Sequence, residues 1–189
     1  MKKRMKKLVG MLAMMAVFAT AVPHIAEAKT VTTTSEGVAD FGFPGDLEMT
    51  IHGNEGQELK GKEFNLYCLL YVDNAEGGES VNYRINKTFE DAMQTVVGKK
   101  LSKTPGKVTE YEIIDYIQSL NENQVEGSQT PQTEEGRYSD YRYFVEELRD
   151  EIVKEKVSGD TVKVTGTTKD NSIEVTGLRN GYYLIDETS

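Results

Sequence analysis

Few residues in this chain have the types and spacing that chemistry needs. Beyond residue 28 there is one histidine, His52, and one cysteine, Cys68. A thiol–imidazole nucleophile would rest on these two alone, and a histidine-rich metal site would lack a second imidazole. Cys68 stands inside the apolar run at 64–72 (Phe-Asn-Leu-Tyr-Cys-Leu-Leu-Tyr-Val), which points to a small buried hydrophobe rather than a reactive thiol. No glycine-rich phosphate loop and no G-x-S-x-G elbow occurs. Carboxylates are plentiful, but Glu134-Glu135 and Glu146-Glu147 read as solvated charge on loops or exposed helix faces. Asp73, Glu76 and Glu79 offer oxygen ligands without the spacing of a calcium loop. No cofactor and no metal is assigned. The most distinctive acid is Glu187, at the end of an aromatic and β-branched run that begins at Tyr182.

The first residues set the context. Lys2, Lys3, Arg4, Lys6 and Lys7 form a basic stretch, residues 8–22 are an apolar run, and Ala26-Glu27-Ala28 supplies the small-x-small pattern cut by signal peptidase. The run is short of the about 20 apolar residues that a spanning helix needs. Residues 1–28 are therefore read as a signal peptide, and the mature chain as exported. Removing them takes five bases and one acid from 22 Lys+Arg and 31 Asp+Glu, leaving 17 against 30 and a net charge of −13. Such a surface repels nucleic acid and anionic lipid. With one cysteine there is no internal disulfide framework, so stability falls to the core or to another covalent link.

The elements follow from periodicity. Residues 29–46 are rich in Thr, Gly and Ser and are expected to form a flexible arm or a short edge strand at 31–34. Residues 47–51 alternate apolar and polar as a half-buried strand does, 64–72 read as a central strand, and 81–85 as its partner. Between about 88 and 155 the period becomes helical. Phe89, Met93, Val96 and Val97 recur up to Gly98, a potential C-cap. Thr109 and Glu112 form a capping box ahead of Ile113, Ile114, Ile117 and Leu120. Ser139 can cap a third helix carrying Phe144, Val145, Leu148 and Ile152. From residue 160 the period returns to two, with strands at 161–165, 172–176 and 182–186. Asn180-Gly181 favours a two-residue hairpin turn between the last two. The sum is a mainly β, immunoglobulin-like sandwich over 47–189, with an inserted helical segment.

Two stretches together carry a family resemblance. Residues 47–52 (Leu-Glu-Met-Thr-Ile-His) followed by 59–67 (Leu-Lys-Gly-Lys-Glu-Phe-Asn-Leu-Tyr) resemble the opening of Gram-positive sortase-assembled pilins and SpaA/CnaB-type surface domains. Residues 175–185 (Val-Thr-Gly-Leu-Arg-Asn-Gly-Tyr-Tyr-Leu-Ile) resemble their closing strand, and the helical insertion is similar to the N-terminal domain of pilin backbone subunits. The resemblance implies a CnaB/SpaA-type fold and a structural rather than enzymatic role. It also implies other pilin subunits, a class C sortase and host extracellular matrix as partners, at a Gram-positive cell wall. Some family members form a Lys–Asn isopeptide bond assisted by a protonated acid, and Tyr183-x-Ile185-x-Glu187-Thr188 matches the family's acid-bearing box. By that match Glu187 is the candidate isopeptide acid, while the position of the family's lysine is Gly53 and neither Lys60 nor Lys62 matches it. The Tyr-Pro-Lys and LPxTG motifs of the family do not occur in the 189 residues, as expected for an N-terminal piece of a longer protein. A wall-anchored adhesin would share these features, and a secreted enzyme of unknown substrate is the alternative from another class.

Overall fold

The computed structural model describes residues 28–45, 47–74, 81–122, 140–166 and 169–188. In chain order the elements are β1 (Thr30–Thr32), β2 (Val38–Asp40), β3 (Leu47–His52), β4 (Glu63–Asn74), β5 (Val81–Ile85), α1 (Glu90–Leu101), α2 (Glu110–Glu122), α3 (Asp140–Glu155), β6 (Asp160–Lys163), β7 (Ser172–Leu178) and β8 (Gly181–Glu187). Short 3-10 turns precede α1 and β7.

The apolar run at 64–72 lies within β4, a strand of 12 residues that gathers three partners. On one edge, residues 63–66 pair with β6 and residues 70–74 with β5, both antiparallel. On the other edge β8 runs antiparallel from Phe64↔Glu187 to Tyr71↔Gly181. β1 joins the far side of β6 in parallel, completing a five-stranded mixed sheet. A second sheet has the order β2-β7-β3, with β2 parallel and β3 antiparallel to β7.

A strand whose two faces are both covered loses the polar alternation of a half-exposed one. Phe64 and Leu66 of β4 join Val162, Ile173, Val175 and Leu178 in an apolar cluster that spans the two sheets. Tyr67, Leu69 and Leu70 join Met93, Val96, Ile113, Phe144 and others in a second cluster against the helices. The β4–β8 register slips between Cys68 and Leu70, so the two adjacent leucines both reach the helix-side cluster. Strand and helix are present in comparable amounts, and the mixed sheets fit the sheet-rich fold expected, with a large helical share.

The helices use the expected stripes. Phe89, Met93, Val96, Val97, Ile113, Ile117, Leu120, Phe144, Leu148 and Ile152 are buried, while Ile114 and Val145 are partly so. The capping box forms: Thr109 N donates to Glu112 Oε2 at 2.9 Å, and Glu112 N donates to Thr109 Oγ1 at 3.3 Å. Ser139 lies outside the described residues. α1 runs past Gly98 to end at Ser102, which takes a left-handed φ of 55°. Gly98 instead meets the need for close approach, since a Cβ there would lie 2.9 Å from the Lys103 carbonyl.

Two further expectations are corrected. Asn180-Gly181 does not close a hairpin, because β7 and β8 belong to different sheets and the link between them crosses from one to the other. The glycine next to this link that takes a left-handed φ is Gly177, at 63°. Gly181 is required by proximity: a Cβ would stand 2.2 Å from the Leu70 carbonyl. Residues 29–45 are also no loose arm, and the edge-strand alternative is met by β1. β1 and β2 pair with both sheets, and Ala39 and Phe41 are fully buried. Thr33 N donates to the Lys163 carbonyl and Phe41 N to that of Thr176. The polar composition hid this because so few apolar side chains do the anchoring. Phe41→Ala is expected to lower the unfolding free energy by about 3–5 kcal/mol, the usual cost of emptying a buried phenylalanine site. Urea unfolding checks this, and a loss under about 1 kcal/mol would return the segment to a peripheral role.

Candidate functional site

Glu187 sits at the last position of β8, opposite Phe64. Its neighbours come from the loop between β3 and β4. Lys62 Nζ is 2.7 Å from Glu187 Oε1, and Gln57 Nε2 donates to Glu187 Oε2 at 2.8 Å. The hydrogen bond and charge of Lys62 pull the Glu187 carboxyl below its ordinary range. Both side chains of the pair are about one-third exposed, at 31% and 35%.

The same loop is held from below by Asn171. Its Nδ2 donates to the Gln57 carbonyl at 2.6 Å, and its Oδ1 accepts from Leu59 N at 3.3 Å. Gly53 N donates to the Asn171 carbonyl at 2.9 Å. Asn171 adopts φ 51°, beside Asp170 at 53°, a backbone region that Asn and Asp tolerate better than most residues. Its side chain occupies the space over Gly53, where a Cβ would come within 2.2 Å of Asn171 Nδ2. A residue with a side chain at position 53 would collide with the amide that fastens the loop. Gly61 N completes the fastening by donating to the Val164 carbonyl at 2.7 Å, and Leu59 is buried beneath.

Isopeptide formation needs a neutral lysine, a protonated acid and a carboxamide carbon, all shielded from water. Here the amine and the acid form an ion pair at the surface, open to water, and the carboxamide next to the acid is that of Gln57. The asparagine nearby is engaged through both ends of its amide. The arrangement supplies an electrostatic and hydrogen-bonded clasp joining the β3–β4 loop, the start of β7 and the end of β8.

The other residues weighed above are dispersed. Cys68 is buried, donates weakly to the Leu70 carbonyl at 3.4 Å, and has its thiol pKa pushed up by burial. Glu146 and Glu147 lie exposed on α3, with Glu147 3.0 Å from Lys100. Glu76, Glu79, Glu134 and Glu135 fall outside the described residues. Among the described residues no cluster of His, Cys, Asp and Glu has the make-up of a metal site. Nor is any helix among them long and apolar enough to cross a membrane. Sequence spacing could not reveal the clasp, because Gln57 and Glu187 are 130 positions apart. The one available signal was Gly53, a glycine at the end of an otherwise regular strand.

No protein-family model matches the chain, and no curated protein matches it.

Two outcomes follow from the clasp. Lys62→Gln should move the Glu187 pKa up toward the ordinary carboxylate value, followed by carboxyl NMR titration. Because the folded pKa is depressed, the pair stabilises at neutral pH and is lost as pH falls through the carboxylate range toward the folded value. The variant should therefore show a flatter acid limb in its stability profile, and an unmoved Glu187 would show that Lys62 is not its partner in solution. Separately, the purified 29–189 chain is expected at its full calculated mass by intact mass spectrometry. Loss of one ammonia would establish an internal isopeptide bond and overturn the clasp as a purely non-covalent device.

Proposed function

We propose that this chain is the amino-terminal, immunoglobulin-like domain of an exported surface subunit that a class C sortase links to other pilin subunits in an adhesive pilus or stalk. The observation that carries the reading is the placement of the two stretches that resemble such proteins. The opening stretch forms β3 and β4, the closing stretch forms β7 and β8, and they pair with each other in order. Met49 lies opposite Val175 in one sheet, and Leu66 opposite Ile185 in the other. Four strand segments drawn from the two ends of the family pattern thus supply the central strands β4 and β7 and an edge partner for each. The apolar cluster shared by the sheets supports a sandwich of CnaB/SpaA type, with the helices as an insertion between β5 and β6.

A load-bearing role suits this construction better than catalysis does. The acid singled out by its position is tied up in a clasp, and the buried thiol is walled off. The strongly acidic exported surface favours contact with protein or wall partners over nucleic acid. In this reading the subunit works at the wall of a Gram-positive cell and contacts host matrix.

Antibody to this chain should reveal a ladder of SDS-resistant polymers in cell-wall extracts, collapsing to one band when the class C sortase gene is deleted. A single monomeric band from intact cells would reject the pilus and leave a wall-anchored adhesin. Turnover in a hydrolase screen, abolished by one acidic substitution, would reject both.

A further inference from the structure

Lys29 is held at every polar position it has. Its backbone nitrogen donates to Asp160 Oδ1 at 2.8 Å, and its carbonyl accepts from Thr161 N at 2.8 Å. Its side-chain ammonium bonds the Phe41 carbonyl and stands 5.4 Å from the centre of the Phe43 ring. Arg179 covers the same ring at 4.2 Å. These contacts fix the start of β1 against the start of β6, where Thr30 lies opposite Thr161.

The contact at the nitrogen is chemically lopsided. Asp160 is half-buried, and desolvation raises its pKa against the opposing pull of the Lys29 N–H and the Arg179 and Lys29 charges. A backbone amide offers that carboxylate one neutral hydrogen bond. An α-ammonium at the same place would offer a charge-assisted one, shorter and stronger. Ala28 and Lys29 are both exposed, so a free terminus on Lys29 can direct its remaining protons to water. The small-x-small signal ends at Ala28, so a cut after it creates the amine on Lys29. Hydrolysis of the Ala28–Lys29 peptide bond consumes one water and leaves a carboxylate on Ala28. The amine on Lys29 takes up a proton at neutral pH.

We propose that Asp160 is the receptor for the α-ammonium group released on Lys29 by leader removal, so that processing itself strengthens the docking of β1 onto β6. The carboxylate is already in place opposite the nitrogen before the cut, and the cut supplies the missing charge. The idea rests on the export leader and not on the pilus reading.

Three measurements test it. N-terminal sequencing of the exported protein should begin at Lys29. The processed chain should melt about 2–4 °C above a chain that retains Ala28, the shift expected of one modest added interaction in a domain of this size. That difference should vanish in Asp160→Asn, which keeps the shape and an acceptor but removes the charge. The α-amine should also react with an acylating reagent near neutral pH about tenfold more slowly than in Asp160→Asn, as a pKa raised by about one unit requires. An exported chain starting elsewhere overturns the proposal. So do equal melting temperatures with and without Ala28, a difference that persists in Asp160→Asn, or equal labelling rates.

Discussion

Everything in this molecule has to satisfy β4. Twelve residues of strand with apolar groups on both faces cannot stand at a surface, because each exposed Leu or Phe forgoes about 1.5–3 kcal/mol of burial. One face is covered by the second sheet and the other by three helices. Those two demands explain why helices interrupt a strand sequence. They lie between β5 and β6, two strands that share one edge of β4, and so return the chain to the sheet it left. The bulge at Cys68–Leu70 then adjusts the balance, sending an extra leucine to the helical side.

Much of this was legible because local pattern and tertiary environment agree. The nearly continuous apolar run at 64–72 announced a central strand. Thr109 and Glu112 announced a helix start, since the groups that satisfy each other are three residues apart and need no distant partner. The helical stripes at 113–120 and 144–152 fell on buried faces for the same reason. Where the deciding contact is remote, the sequence was silent or misleading. Asn180-Gly181 has the chemistry of a hairpin, yet glycine is needed there because Leu70, over a hundred positions earlier, presses its carbonyl against it. Residues 29–46 look like a polar arm, but Phe41 and Ala39 find their burial among strands formed from the end of the chain.

Glu187 shows the same limit at a site. The family resemblance implied an acid at Glu187 whose lysine partner would stand at position 53, where this chain has Gly53. In the structure Asn171 fills the space over Gly53, and Lys62, from the far end of the loop, takes the carboxylate. The two schemes differ in dielectric as much as in geometry. A shielded acid keeps its proton and can shuttle it, whereas a half-exposed acid beside an ammonium loses it and becomes an anchor. The clasp is thus an ordinary consequence of where water reaches.

The partners of β4 also fix an order of events. Glu63 and Lys163 are 100 positions apart, and the pairing with β8 spans more. A chain emerging from the ribosome presents β4 early and must keep that doubly apolar strand uncommitted while the helices appear. The helices gain much from neighbours in sequence and can gather on one face first. The other face stays open until β6 and β7 arrive, and one edge stays bare until residue 187 is out. Closing such long loops is slow. The strand that organises the finished molecule is therefore also its greatest hazard on the way there, with an adhesive edge exposed until residue 187 has been made.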